Sequence, residues 1–219
     1  MTNSKSKQEN FKTMVDSGVV AVIRTESSDQ LLRVAEAIRK GGVKCIEVAM
    51  TTPNALEVIE DVTAKIDDVL IGAGTVLDAE TARSAIIAGA EYLVSPTLDY
   101  DMVKMVKRYG KIVAPGTFTP TEIMNAWEAG ADIVKVFPAS RLGPKFISDV
   151  KSPLPQVSLM PTGGVSQKNA ADFVEAGADV VCAGSALIDK EAMKRGDFEV
   201  LTKNAEQLVE AVNEGKKRR

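Results

Sequence analysis

Two ionisable residues lie in the middle of apolar segments of the chain. Glu47 is part of the segment CIEVAM (45–50), and Lys135 is part of DIVKVFPA (132–139). If these segments are strands, both side chains share the alternation of apolar core residues. A buried charge is costly unless it is paired or used. The two residues therefore form either a structural ion pair or part of an active site, and we favour the active site because perturbed ionisable groups cluster there.

A lysine and a carboxylate in an apolar pocket support one specific kind of chemistry. A lysine in a low-dielectric pocket can be neutral often enough to attack a carbonyl carbon and form a Schiff base. The resulting iminium is an electron sink, so a carbon–carbon bond β to it can break, while the carboxylate moves protons. The chain contains no histidine, which excludes Ser-His and Cys-His triads and histidine-bound zinc. We predict an enzyme without metal or cofactor.

Composition and charge limit the partners and the cellular compartment that the sequence predicts. The 219 residues carry a formal net charge of −3, so the chain has no overall basic field for a nucleic-acid backbone. The longest apolar run, Val19 to Ile23, is far shorter than the ~20 residues that span a bilayer. The opening residues, MTNSKSKQEN, lack the apolar core of a secretory signal. The two cysteines, Cys45 and Cys182, form no disulfide framework, and we interpret them as core residues. These features predict a cytoplasmic protein that binds neither nucleic acid nor a membrane; its expected partner is a small molecule, the 2-keto acid that a Schiff-base lysine would attack.

The elements that must position the two ionisable residues repeat along the chain. Eight β-rich segments alternate with helix-forming stretches, as in consecutive βα units. They are 19–24, 45–50, 70–76, 92–98, 111–116, 132–139, 157–164 and 180–188. We predict a single α/β domain over residues 1–219, a (β/α)8 TIM barrel with its core at about 18–190, followed by a C-terminal helix and a basic tail. A doubly wound open sheet is the alternative, but its dinucleotide fingerprint is missing. The tail, 216–219, is interpreted as a solvated end.

The stretches between these segments carry helix signals. Leu31, Val34 and Ile38 have helical spacing, and Gly41 and Gly42 end that stretch. The sequence TPTE (119–122) combines a capping hydroxyl, a proline at the first helical position and a carboxylate in the first turn. We therefore expect helices to follow the first and fifth strands.

Glycines follow the last two predicted strands. In a barrel these two loops often bind phosphate, because glycine allows close backbone approach and the following helices supply N–H donors. Tight turns need glycine as well, but two such turns side by side favour a phosphate site at Gly163, Gly164, Gly184 and Ser185. Arg24 ends the first strand, where it binds a substrate anion or forms a surface ion pair.

At these residues the chain resembles the 2-keto-3-deoxy-6-phosphogluconate (KDPG) and 4-hydroxy-2-oxoglutarate (KHG) aldolase family. The resemblance extends over roughly residues 18–190. The matching segments, in order, are VVAVIR, GGVKCIEVAMTTPNA, IGAGTVLDAE, AGAEYLVSP, APGTFTPTEI, VKVFPA, PTGGV and AGSAL. Together they are specific, whereas a single motif such as PTGG is not.

The resemblance implies a role for each matching residue. Lys135 would form the Schiff base and Glu47 would act as acid and base. The pocket for the pyruvyl group would be lined by Thr75, Pro96 and Phe137. The phosphate would bind at Thr162, Gly163, Gly164, Gly184 and Ser185, with Arg24 as an anion contact. The resemblance also implies a homotrimer without a cofactor.

One departure from the family pattern concerns the substrate. Some members that act on the gluconate carry an arginine four residues after the catalytic glutamate, where this chain has Thr51. The preference among KDPG, its galactonate epimer and KHG therefore stays open. Two further functions remain compatible with the repeat: a phosphate-binding barrel isomerase or epimerase, and a non-catalytic phosphosugar-binding barrel. The former would usually use histidine metal ligands or paired acids.

Overall fold

The computed structural model describes residues 6–24 and 28–219, and the first five residues of the polar start lie outside this part of the chain. Its strands are β1 Val19–Ile23, β2 Cys45–Ala49, β3 Leu70–Gly74, β4 Tyr92–Val94, β5 Ile112–Ala114, β6 Gly116–Thr117, β7 Val134–Val136, β8 Leu159–Pro161 and β9 Val181–Ala183. Each of the eight predicted segments contains a strand, and the fifth predicted βα unit contains two.

The helices alternate with the strands as expected. They are α1 Lys7–Ser17, α2 Ser28–Lys40, α3 Ala55–Lys65, α4 Ala79–Ile87, α5 Tyr100–Arg108, α6 Pro120–Glu128, α7 Gly143–Lys151, α8 Ala170–Glu175, α9 Lys190–Arg195 and α10 Glu199–Arg218, with a 3-10 turn at Ala139–Arg141. The predicted starts and ends are confirmed at two of them. Helix α6 begins with a capping box between Thr119 and Glu122, and α2 ends at Lys40, directly before Gly41.

All strand pairs are parallel, and they form two sheets. The larger sheet has the order β5-β4-β3-β2-β1-β9 and the smaller has the order β6-β7-β8. A single bridge between Thr162 and Cys182 joins the smaller sheet to β9. The parallel α/β prediction is confirmed, but the eight-stranded ladder is not continuous. Its fifth strand is divided at Pro115, which has no N–H to donate to a ladder, although the carbonyl of Pro115 still accepts from Lys135 N at 2.9 Å.

Side chains on the two faces of the strands enter two separate apolar clusters. Ile46 and Val48 of β2 belong to the outer cluster, which packs against the helices. Cys45, with the opposite alternation, belongs to the inner cluster. The other buried members of the inner cluster are Met14, Val20, Leu70, Tyr92, Val94, Ile112, Ala114, Ile133, Met160, Val180 and Cys182. Because side chains alternate along a strand, Glu47 points inward with Cys45, and Lys135 points inward with Ile133.

Helix α1 covers the amino ends of the strands. Its Met14 is buried in the inner cluster. Two of its other side chains bind acidic residues that precede β4 and β7. Asn10 Nδ2 donates to Glu91 at 2.9 Å, and Lys7 pairs with Asp132 at 2.8 Å. The amino end is thereby closed by a helix, so a substrate site is expected at the carboxyl ends of the strands.

The basic C-terminal residues belong to a helix and contact neighbouring elements. They form the last turn of α10, where Lys216 Nζ donates to the carbonyls of Val15 at 3.1 Å and Asp16 at 2.7 Å. Arg218 lies 3.5 Å from Asp172 and from Glu175 of α8. The basic residues Lys216–Arg218 thus continue the C-terminal helix, and Lys217, Arg218 and Arg219 are exposed, in agreement with the interpretation as a solvated end. No helix in the described residues is long and apolar enough to cross a membrane.

Candidate active site

Glu47 is the most deeply buried acidic group of the described chain. Its exposed fraction is 2%, and its Oε2 accepts a hydrogen bond from the Cys182 thiol at 3.7 Å. Burial raises the pKa of Glu47, while the charge of Lys135, the bond from Cys182 and the charge of Arg24 partly oppose this rise. A raised pKa makes the protonated form of a carboxyl more accessible, so that the group can serve both as an acid and as a base, as general acid–base catalysis requires.

Two glycines of β3 make room for the side chains of Glu47 and Tyr92. A Cβ at Gly74 would lie 1.7 Å from Glu47 Oε1, and a Cβ at Gly72 would lie 2.4 Å from the Tyr92 ring. Because β3 has no side chain at these two positions, the Glu47 carboxylate of β2 and the Tyr92 ring of β4 can both lie over β3, which separates β2 from β4. The GAGT motif, whose sequence signal is weak, therefore has a packing reason. The Tyr92 hydroxyl is buried and makes no hydrogen bond with the described residues.

Lys135 is held in the middle of β7. Its exposed fraction is 6%, and its Nζ lies 4.9 Å from the centroid of the Phe137 ring. Its carbonyl accepts a hydrogen bond from Thr117 Oγ1 at 3.0 Å. This buried threonine, which the sequence analysis did not single out, links the strand that carries Lys135 to β6. The Lys135 backbone is therefore held against β6 both by the pairing of the two strands and by the Thr117 side chain.

Lys135 and Glu47 interact without direct contact. No ion pair or hydrogen bond joins them among the interactions of residues 6–24 and 28–219, yet the charge of Lys135 lowers the pKa of Glu47. An ion pair that served only the core would be expected to close into direct contact, because burial without a hydrogen-bonded partner is costly. The two inward groups therefore influence each other electrostatically without forming an ion pair.

The other predicted residues lie just beyond the carboxyl ends of the strands. We call this set the carboxyl-end rim: Arg24, Thr51, Thr75, Pro96, Phe137, Thr162, Gly163, Gly164, Gly184 and Ser185. Arg24, Thr51, Phe137, Gly164 and Ser185 are exposed there, and Thr162 is buried. Thr75 has a φ of 59°, which a β-branched residue rarely adopts and which is typical of functional sites.

The two glycine loops of the rim differ in backbone conformation. Gly163 and Gly164 have φ values of 89° and 79°, in the region that favours glycine. A Cβ at Gly164 would lie 2.6 Å from Ser140 Cβ, so this loop also packs closely against the 3-10 turn. Gly184 has no such constraint, and a Cβ there would lie 3.5 Å from the nearest atom, the carbonyl oxygen of Val22. Only the first loop therefore needs glycine for the turn itself.

Cys182 was missed as a site residue. It was interpreted as a core side chain, and it is indeed buried and free, but its thiol contacts the Glu47 carboxylate. The alternation of strand β9 gives the direction of this side chain, whereas the contact depends on how β9 and β2 are arranged around β1. In the described part of the chain, no group of three or more acidic or cysteine side chains is placed to hold a metal ion.

The fold and the site define a class: a parallel α/β protein with a buried lysine and a buried glutamate in the middle of two of its strands, below a rim of polar residues and glycines at the carboxyl ends. The sequence profile of an aldolase family, described as "KDPG and KHG aldolase", matches residues 11–204. The chain therefore belongs to the KDPG and KHG aldolase family, whose members are carbon–carbon lyases.

Individual relatives agree with this assignment. The chain is similar to 2-dehydro-3-deoxy-phosphogluconate aldolase of Treponema pallidum, with 34% identity over 92% of this chain and 97% of the relative. It is 33% identical to 2-dehydro-3-deoxy-6-phosphogalactonate aldolase of Escherichia coli over 77% of this chain and 82% of the relative. Among solved structures, KDPG aldolase of Legionella pneumophila, with pyruvate captured as a covalent carbinolamine, has 28% identity and a TM-score of 0.84, covering 90% of this chain and 97% of that one.

Proposed function

We propose that this protein is a class I aldolase that cleaves KDPG to pyruvate and glyceraldehyde 3-phosphate. The observation that carries the proposal is the buried Lys135 on β7, whose charge reaches the buried Glu47 on β2 without pairing with it. Cleavage of KHG to pyruvate and glyoxylate is the expected side reaction, because it uses the same 2-keto acid end.

Lys135 would carry the covalent steps. Its neutral amine attacks the C2 carbonyl of the substrate to give a carbinolamine, which loses water to form an iminium. The C3–C4 bond then breaks, its electron pair moves toward the iminium nitrogen, and the aldehyde leaves as an enamine remains. Protonation of the enamine at C3 and addition of water release pyruvate and the free amine. The apolar surroundings of Lys135 support this role by limiting side reactions of the enamine with solvent.

Glu47 would move the protons of these steps. As a carboxylate it accepts the proton of the C4 hydroxyl during cleavage, and as the acid it returns a proton to C3 of the enamine. The carboxylate and the protonated acid must therefore both form within one catalytic cycle. Burial favours the protonated form of Glu47 and the charge of Lys135 favours the carboxylate, and these opposing effects on the pKa support the proposed role. The proposed mechanism requires no metal, since the iminium supplies the electron sink.

The carboxyl-end rim would bind the rest of the substrate. Thr75, Pro96 and Phe137 would line the pyruvyl pocket, and Thr51 would lie near the substrate carboxylate. The phosphate would bind at Thr162, Gly163, Gly164, Gly184 and Ser185, with Arg24 as a further anion contact. Backbone N–H groups of two adjacent loops can converge on one dianion, which supports this placement.

The two sheets would act as one closed (β/α)8 barrel within a single domain. The bridge between Thr162 and Cys182 supports closure on one side. On the other side, Pro115 lies between β5 and β6, and its carbonyl continues the pairing to β7. Closure would bring β2 and β7 to opposite sides of one interior, as a carboxylate and an amine that act on the same substrate require.

The assay of pyruvate release tests the proposed function. Purified enzyme is given KDPG, its galactonate epimer or KHG, and pyruvate is followed by coupled reduction with NADH. We expect the highest kcat/KM with KDPG. Preference for the galactonate epimer would favour a 2-keto-3-deoxy-6-phosphogalactonate aldolase instead, a candidate supported by the similarity to the galactonate-type relative and compatible with Thr51. Absence of pyruvate from all three substrates would contradict the proposal.

Gly184→Val tests the phosphate site without straining the backbone. A Cβ at this position makes only ordinary van der Waals contacts, the nearest at 3.5 Å, and the valine methyl groups would occupy space beside the loop N–H groups. We expect kcat/KM for KDPG to fall at least about tenfold more than kcat/KM for KHG, because binding energy at a remote phosphate positions the reacting carbon. Gly163 and Gly164 are less suitable, since their φ values oppose any side chain. Equal losses for both substrates would place the phosphate elsewhere.

We also propose a homotrimer. Exposed apolar side chains follow three strands of the two sheets: Leu77 after β3, Tyr100 after β4 and Phe118 after β6. Large apolar side chains that are exposed in the single chain are candidates for burial between subunits. Light scattering after size exclusion should give three times the chain mass of 23.4 kDa, and Phe118→Glu should reduce it. A monomer at micromolar concentration would contradict this assembly.

A further inference from the structure

The Cys182 thiol is the hydrogen-bond donor to Glu47 in the described part of the chain. Sγ lies 3.7 Å from Oε2, within the range of a bond that involves sulfur, and both side chains are almost fully buried. Cys182 also forms the backbone bridge to Thr162, so it lies where the smaller sheet meets β9. Its backbone is thus anchored to the PTGG segment (161–164), while its side chain reaches the interior.

The second cysteine shows that this contact is not a general property of buried thiols here. Cys45 lies on the same strand as Glu47, two residues earlier, and belongs to the same inner cluster. Its sulfur lies 3.9 Å from Ser17 Oγ, at the amino end of the strands. Of these two cysteines, Cys182 is the one that directs its thiol toward the carboxylate.

We propose that Cys182 is a positioning residue, whose thiol donates to Oε2 of Glu47 and thereby orients the other carboxylate oxygen toward the substrate. This inference rests on the proposed function of Glu47 as the proton carrier. The other oxygen, Oε1, occupies the space that the missing side chain of Gly74 leaves over β3. Because Oε2 is held by Cys182, Oε1 is the oxygen that exchanges protons with the substrate, both during cleavage and during protonation of the enamine.

A thiol suits this task because of its weakness as a donor. Burial raises the pKa of Cys182 well above its usual range, so the group stays protonated and keeps its hydrogen. A hydroxyl or an N–H would stabilise the carboxylate form more strongly and oppose its protonation. The thiol fixes the direction of Glu47 at a smaller cost to its ability to act as an acid.

Other groups near Glu47 also act on its protonation. Lys135 of β7 and Arg24 after β1 favour the charged form. Tyr92 of β4 is close enough for the charge of Glu47 to contribute to the raised pKa of its phenol, after the larger effect of burial. None of these three donates a hydrogen bond to Glu47 among the described contacts, so the effect of Cys182 can be separated from theirs by substitution.

The test is the pH profile of kcat/KM for KDPG in Cys182→Ala and Cys182→Val. Both variants remove the donor, one with a smaller and one with a larger side chain. Loss of a donor disfavours the carboxylate, so protonation of Glu47 persists to higher pH. We expect the acidic limb to move upward by about 0.5–1 pH unit in both variants. We expect Cys182→Ser, which supplies a stronger donor, to move the limb back down to the wild-type position or below it.

Cys45→Ala is the matched control, since it removes a buried thiol from the same cluster without touching Glu47. It should lower the melting temperature but leave the acidic limb in place. An unchanged limb in both Cys182 variants, with wild-type aldolase activity present, would overturn the positioning role alone. A limb that moves equally in Cys45→Ala would assign the effect to packing and also overturn it. An inactive wild type would instead contradict the proposed function. Circular dichroism identifies a variant that fails to fold, and the other donor-free variant then decides the outcome.

Discussion

Lys135→Arg is expected to abolish aldolase activity, with a loss of kcat of more than roughly 10⁴-fold. A guanidinium stays protonated at any pH that the enzyme tolerates, so it cannot attack a carbonyl, although it keeps the positive charge near Glu47. The loss would therefore reflect missing covalent chemistry rather than a missing charge. Steady-state release of pyruvate from KDPG measures the effect.

Lys151→Arg is the matched control for this variant. Lys151 is also largely buried, with 13% of its side chain exposed, and it pairs with Asp179 at 3.2 Å. It lies at the end of α7, away from the carboxyl-end rim, so its substitution should leave kcat within a factor of about two. Activity of Lys135→Arg above about one per cent of the wild type would contradict the assignment of the nucleophile.

The second large effect is expected for Glu47→Gln. The amide keeps the shape of the side chain and can still accept the bond from Cys182, but it cannot carry a proton. We expect kcat to fall by roughly 10²–10⁴-fold, the usual range for loss of a general acid–base group. KM should change less, because binding of the phosphate and of the pyruvyl group does not need the charge.

Glu91→Gln provides the comparison for Glu47→Gln. Glu91 is a partly buried carboxylate that binds Lys111 at 2.6 Å near the amino ends of the strands. Its loss should affect stability and leave kcat near that of the wild type. If Glu47→Gln turns over within a factor of a few of the wild type, Glu47 is structural and the proton travels by another route.

The inward direction of Glu47 and Lys135 could be predicted from sequence, because alternation along a strand depends only on local backbone geometry. The start of α6 could be predicted for the same reason, since its capping box spans residues Thr119 to Glu122. The division of the fifth strand depends on Pro115, whose effect on the ladder follows from its missing N–H and could have been anticipated.

Contacts between distant strands could not be predicted in this way. The hydrogen bond from Cys182 to Glu47 joins residues 135 positions apart. It depends on the strand order, in which β2 and β9 pair with opposite edges of β1. The anchoring of Lys216 on α1 has the same origin, since the partners are 200 and 201 positions away. Local patterns determine which way a side chain points, whereas the partner it meets depends on the assembled fold.

The most direct test of Schiff-base chemistry at Lys135 is trapping with borohydride in the presence of pyruvate, followed by peptide mapping. Reduction converts the iminium into a stable secondary amine on the lysine that formed it. We expect one reduced pyruvyl adduct, on the peptide that contains Lys135, and none in Lys135→Arg, while Lys151→Arg is labelled like the wild type. An adduct on another lysine, or no adduct in an enzyme that cleaves KDPG, would contradict this chemistry.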